Sequence, residues 1–99
     1  MDLKEEIIAY IQEHKQELLE NYSLTTIAIF GSISTGRYTD ESDIDLLVDF
    51  KPETPNIRGS KNRLKDEFRK KFKREVDVCT RRYLSPYYKQ TILSQAISV

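Results

Sequence analysis

An apolar run that ends in Gly-Ser, and a second that opens with Asp-x-Asp ten residues later, constrain this chain more than any other feature. The first run is Ile27-Ala28-Ile29-Phe30, followed by Gly31 and Ser32. The second is Asp43-Ile44-Asp45-Leu46-Leu47-Val48. Both are short, apolar and rich in branched residues, which predicts buried strands. The residues between, Ile33 to Ser42, include Ser34, Thr35, Gly36, Arg37, Thr39, Asp40, Glu41 and Ser42. That is turn or short-helix chemistry, not a third strand. A short connection leads into an antiparallel neighbour, which sets Gly31 and Ser32 beside Asp43 and Asp45.

Alternation along the second strand sorts its side chains. Ile44, Leu46, Val48 and Phe50 share one face and are expected to meet the core. Asp43 and Asp45 share the other, roughly 6–7 Å apart at their backbones. Two such carboxylates can converge on hard cations such as Mg²⁺. In two-metal sites the ions stand about 3.5–4 Å apart, a span this pair can clamp. The carboxylates repel each other, so each should be hard to ionise until a metal arrives. Gly31 has no side chain to keep a ligand from the backbone. Ser32, at the start of a short helical turn, offers a hydroxyl and free amides to phosphate oxygens. The competing reading is a strand whose first residues are merely solvated at a loop edge.

Gly-Ser, ten residues, then Asp-x-Asp and an apolar strand resembles the signature of the polymerase-beta-like nucleotidyltransferase superfamily. The chain length is similar to that of its minimal members, the MNT proteins, which form the antitoxin half of HEPN/MNT toxin–antitoxin pairs. The resemblance implies an α+β fold with a polymerase-beta-like core, residues 1–99 forming a single minimal nucleotidyltransferase domain. It implies that Asp43 and Asp45 bind two Mg²⁺ ions. It adds Asp77, within Val76-Asp77-Val78, as a third catalytic and metal-binding carboxylate, which spacing alone would not single out. Gly31 and Ser32 would hold the nucleotide phosphates. ATP would be the AMP donor, and the acceptor would be a tyrosine on a cognate HEPN ribonuclease toxin. Arg37, the one cation of the connecting loop, either reaches the triphosphate or is solvated. Asp40, Glu41 and Asp49 are read as solvated.

The rest of the chain supplies the frame. Asp2 and Glu5 have capping-box spacing, and Leu3, Ile7, Ile8, Ile11, Leu18, Leu19 and Tyr22 recur as on an amphipathic helix ending near Asn21. His14 falls on its apolar stripe, and a margin of the core suits it better than catalysis. A helix beginning between Pro55 and Lys61 buries Leu64, Phe68 and Phe72. Its outer face, Arg58 to Arg74, is strongly basic, read first as solvated, then as steering an anion. Residues 75–80 read as the third strand. Ser85-Pro86 starts a last helix carrying Tyr88, Ile92, Ala96 and Ile97. Tyr83, Tyr87 and Tyr88 are assigned to core packing, with a partner surface as second choice. The sum is a small mixed β-sheet of three or so strands packed with helices, mainly on one side.

Composition narrows the function classes. At 99 residues the chain has room for one modest core. Charged residues make up 32% but the net charge is zero, so bulk charge does not argue for direct nucleic-acid binding. A single cysteine, Cys79, excludes an internal disulfide and suits a cytoplasmic location. No run approaches membrane-spanning length. Beside the transferase stand two other classes: a catalytically dormant antitoxin that neutralises its partner by binding alone, and an enzyme acting on small molecules, disfavoured because no second substrate domain is evident.

Overall fold

In the computed structural model, which describes residues 1–99, the first helix, α1, spans Leu3–Asn21. The Glu5 amide donates to Asp2 Oδ1 at 2.8 Å, satisfying an otherwise orphaned helix donor. Strand β1 (Leu24–Phe30) runs directly into a five-residue helix, α2 (Gly31–Thr35). Strand β2 is Ile44–Phe50, helix α3 is Ile57–Phe72 and strand β3 is Val76–Thr80. A 3-10 turn at Arg81–Tyr83 leads to helix α4 (Pro86–Gln95) and a two-residue strand, β4 (Ile97–Ser98). Asn56 caps α3, its side chain accepting the Gly59 amide at 3.1 Å. The cap lies over Gly59, where a Cβ would run into it, which accounts for a glycine in the first turn.

The four strands form one mixed sheet in the order β3-β2-β1-β4. β1 and β2 are antiparallel, as their short connection requires, while β2 and β3 are parallel and joined by α3. One face carries Ile27, Ile29, Ile44, Leu46, Val48, Val76 and Val78 against Ile7, Ile11 and Leu18 of α1 and Leu64 and Phe68 of α3. The helical and strand periodicities thus meet in a single core. The other face buries only Ala28, Phe30 and Leu47, against Cys79, Leu84, Ile92 and Ala96. No helix is long and apolar enough to cross a membrane.

Helices cover mainly one face, that of α1 and α3, while Ile92 of α4 packs on the second. Two expectations are corrected. The last helix stops at Gln95, and Ile97 and Ser98 pair with Ile29 and Ala28 instead. β1 would otherwise present an open edge, and its unpaired backbone groups favour β-branched Ile97 and Val99 as strand over one more helical turn. Tyr83, Tyr87 and Tyr88 are not core residues; they are 70%, 85% and 60% exposed.

The basic face of α3 is partly consumed inside the fold. Arg63 lies over the Tyr22 ring, Lys71 over the Tyr10 ring, and Arg69 bridges Asp66 and Glu75. His14 packs on Tyr10 with its Nδ1 3.7 Å from Glu17, a core-margin histidine. α1 and α3 are joined by Glu67, whose two carboxylate oxygens accept the hydroxyls of Tyr10 and Tyr22 at 2.6 Å each. Burial, and then the bonds to Glu67, hold both phenols well above their ordinary pKa. Hydrogen bonds to a charged acceptor are the stronger kind, so Glu67→Ala should cost about 2–3 kcal/mol. Urea denaturation checks this; an unmoved midpoint would show that the two tyrosines hold the helices together without the carboxylate.

The acidic shelf beside the Gly-Ser turn

The site is set by strand register. Phe30 of β1 pairs with Asp45 of β2, and Asp45 pairs with Asp77 of β3. Because β2 buries Ile44, Leu46 and Val48 on the core face, Asp43, Asp45, Leu47 and Asp49 take the other. Asp45 therefore stands between the Gly31 backbone and Asp77, while Asp43 lies one residue before the strand begins. Gly31 has φ +74°, the left-handed region. A methyl group there would run into the Asp45 carboxylate. Two independent demands, conformation and room, thus explain a glycine at this turn.

Within α2 the hydroxyls of Ser34 and Thr35 turn back onto the Gly31 carbonyl at 2.9 and 3.2 Å. Ser32, half-buried, makes no such bond, and its hydroxyl has no partner within the fold. Arg37 is exposed just past the α2 C-cap. Its amide donates to the Ser32 carbonyl at 2.9 Å, and its guanidinium has no ion pair. Asp43 and Asp77 are exposed and Asp45 is half-buried. Asp49 is engaged elsewhere, its Oδ1 accepting the Arg82 amide at 3.2 Å. It serves the turn after β3, a structural use that its spacing alone does not reveal.

The electrostatics centre on Asp45. Its pKa is pushed up from 3.8 to about 6, first by burial, then by the charges of Asp77 and Asp43. Burial, and then the charges of Asp77 and Asp45, raise the Cys79 thiol, which leaves no activated thiolate here. As placed, no three acidic, histidine or cysteine side chains converge into a ready-made ion site. The donor chemistry nevertheless fits a hard cation: oxygen ligands only, from adjacent strand ends, beside a cradle that admits nothing larger than glycine. Bringing like charges closer requires a counter-ion between them.

The site is an open shelf. The two largest hollows lie elsewhere, one of about 520 Å³ along α4 and one of about 490 Å³ at the opposite end of β2 and β3. Whatever binds the acids must bring its own far wall. One residue that sequence reading placed only in the basic run belongs to this region. Arg74 Nη1 donates to the carbonyls of Thr39 and Ser42 at 2.8 and 2.9 Å, across the loop that enters β2. Nothing in its local sequence distinguishes it from its basic neighbours.

Comparison with known proteins gives consistent matches. A family profile for the nucleotidyltransferase domain matches residues 11–99. A relative from Methanocaldococcus jannaschii, provisionally named a protein adenylyltransferase, is 33% identical over 95% of both chains. Another from the same archaeon, with the same provisional name, is 49% identical over 51 residues, a stretch spanning 52% of this chain and 58% of that one. Among solved structures, one provisionally described as a minimal nucleotidyltransferase superposes with a TM-score of 0.78 at 28% identity, covering 100% of this chain and 97% of the other. A toxin–antitoxin structure with AMP-PNP superposes with a TM-score of 0.68 at 26% identity, covering 87% of this chain and 69% of that one.

Two outcomes test the geometry. Gly31→Ala should lower the melting temperature, because both φ and the Asp45 contact resist a side chain; an unchanged melting temperature would show that the turn relaxes freely. Asp45 holds its proton more tightly folded than unfolded, so its ionisation costs stability as pH rises from about 4 to about 6, and the cost persists above that. Asp45→Asn should therefore stabilise the ligand-free protein at pH 8 and have little effect at pH 4. A gain independent of pH would refute the charge argument.

Proposed function

This chain belongs to the nucleotidyltransferase domain family, and from that premise we propose that it transfers AMP from ATP to a hydroxyl on a partner protein, and so acts as an antitoxin. The observation that carries the reading is the register Phe30–Asp45–Asp77, which gathers Gly31, Ser32 and the acids at one sheet end. The protein-adenylyltransferase names of the relatives and the toxin–antitoxin assembly of a structural neighbour support the kind of acceptor. The open shelf supports it too, because a docking protein would close the wall that the chain lacks.

In this reading the Gly31 amide and the Ser32 hydroxyl hold the β- and γ-phosphates, with Arg37 available to the same charge. Asp43, Asp45 and Asp77 would hold Mg²⁺. When bound, Mg²⁺ supplies charge neutralisation for the leaving group and lowers the pKa of the attacking hydroxyl. Asp77 accepts the proton of that hydroxyl. The bond from acceptor oxygen to the α-phosphorus forms as the bond to pyrophosphate breaks. We take the acceptor to be a tyrosine of a cognate HEPN toxin, in the cytoplasm.

The unconverged carboxylates favour one alternative, an antitoxin that works by occlusion with its site dormant. Incubation with labelled ATP, Mg²⁺ and the partner toxin separates the two. The transferase labels the toxin, and Asp43→Ala combined with Asp45→Ala abolishes the label. No label from the native protein, or full label from the double variant, would overturn the proposal.

A further inference from the structure

The residues that deliver Asp43 to the shelf are held from outside their own loop. Thr39 to Ser42 close on themselves: the Thr39 amide donates to Ser42 Oγ at 2.8 Å and the Ser42 amide to the Thr39 carbonyl at 3.2 Å. The closed loop is tied to the fold by two consecutive residues of the α3–β3 turn. Arg74 Nη1 spans the carbonyls of Thr39 and Ser42. The Glu75 carbonyl accepts the Ile44 amide at 2.9 Å. Asp43 is the single residue between a gripped carbonyl, that of Ser42, and a gripped amide, that of Ile44. Its own side chain is exposed, so its place on the shelf is set by its backbone on either side.

Arg74 is otherwise unusual for a surface cation. It is half-buried and makes no ion pair, although Glu75 is its neighbour; Arg69 takes that carboxylate at 3.2 Å. A guanidinium that forgoes a carboxylate for two carbonyls is committed to geometry rather than to charge balance. Three residues further on, the same chain segment carries Asp77. The guanidinium therefore crosslinks the approach to the first acid with the approach to the third.

We infer that Arg74 is a positioning residue for the acidic site, fixing the separation of Asp43 and Asp77 so that both can serve one cation cluster. The inference rests on the transferase reading above and extends it to a residue outside the shelf. Such outer supports of metal-binding side chains typically matter by about 10–100-fold in metal affinity.

The test uses Arg74→Met, which keeps the apolar stem and removes the donors. Thermal stabilisation is followed against Mg²⁺ concentration at saturating ATP, with hydrogen exchange at the Ile44 amide of the ligand-free protein as a second readout. The variant should need about tenfold more Mg²⁺ for half of the full stabilisation, and the Ile44 amide should exchange faster. Arg74→Lys, whose ammonium can still donate to two carbonyls, should recover most of both effects. A merely structural role would lower the ligand-free melting temperature and leave the Mg²⁺ midpoint in place, which overturns the inference. If Arg74→Met does not fold, Arg74→Gln, whose shorter side chain keeps a donor but cannot span both carbonyls, carries the same test: a raised midpoint supports the inference and an unchanged one overturns it. A native protein that Mg²⁺ and ATP do not stabilise would instead sink the transferase reading, whatever the exchange at Ile44 shows.

Discussion

Asp45 is pressed between the backbone of the glycine that follows β1 and an aspartate on β3, and this crowding is the constraint on which the rest depends. It arises from strand parity. The core needs Ile44, Leu46 and Val48, so the aspartates between and before them turn to the thinly covered face. A slip of one residue in β2 would bury the carboxylates and expose the core, a cost that pins the register. The register then brings Gly31 and Asp77 to either side of Asp45 without further design. The same crowding opposes ionisation of Asp45. With Asp45 ionised, the protein thus carries a local destabilisation at this point.

Most of the compensation lies on the opposite face. There α1 and α3 cover the sheet completely enough that Ile7, Ile11, Ile44, Leu46, Val48, Leu64 and Phe68 are fully buried or nearly so. Long-range bonds satisfy several polar groups in this layer: Glu67 holds two tyrosine hydroxyls, and Ser60 Oγ donates to the Tyr22 carbonyl at 2.7 Å, whereas the buried Thr80 hydroxyl has no partner. The two faces of one small sheet therefore divide the labour, one providing cohesion and the other leaving acids accessible. The second face is covered only by Ile92, Ala96 and Leu84, beside a helix with no buried residue. Tyr83, Tyr87 and Tyr88 of this segment stay exposed.

Much of this was legible in the chain itself. The Gly31-Ser32 turn, the Asp43/Asp45 pair and the split of β2 into an apolar and an acidic face all follow from local chemistry and a period of two. Helix α1 followed from its apolar spacing and the Asp2 cap. The misreadings share one cause. Ile97 suits a helix stripe as well as a strand, and the choice was made by the free edge of β1, which lies some seventy residues away in sequence. Tyr83, Tyr87 and Tyr88 are equally compatible with core and surface, and the small size of the second face left them outside.

The order of residues alone determined which groups could serve the site, because strand parity and turn chemistry act over two to four neighbours. Only the tertiary structure decided how those groups meet. Asp77 comes beside Asp45 through parallel pairing across the α3 crossover, Glu67 becomes a clamp because two tyrosines converge on it, and Arg74 is singled out from a basic run by two carbonyls over thirty residues away. Each of these depends on contacts between distant segments, whose energy exists only once the hydrophobic core has brought the backbone together.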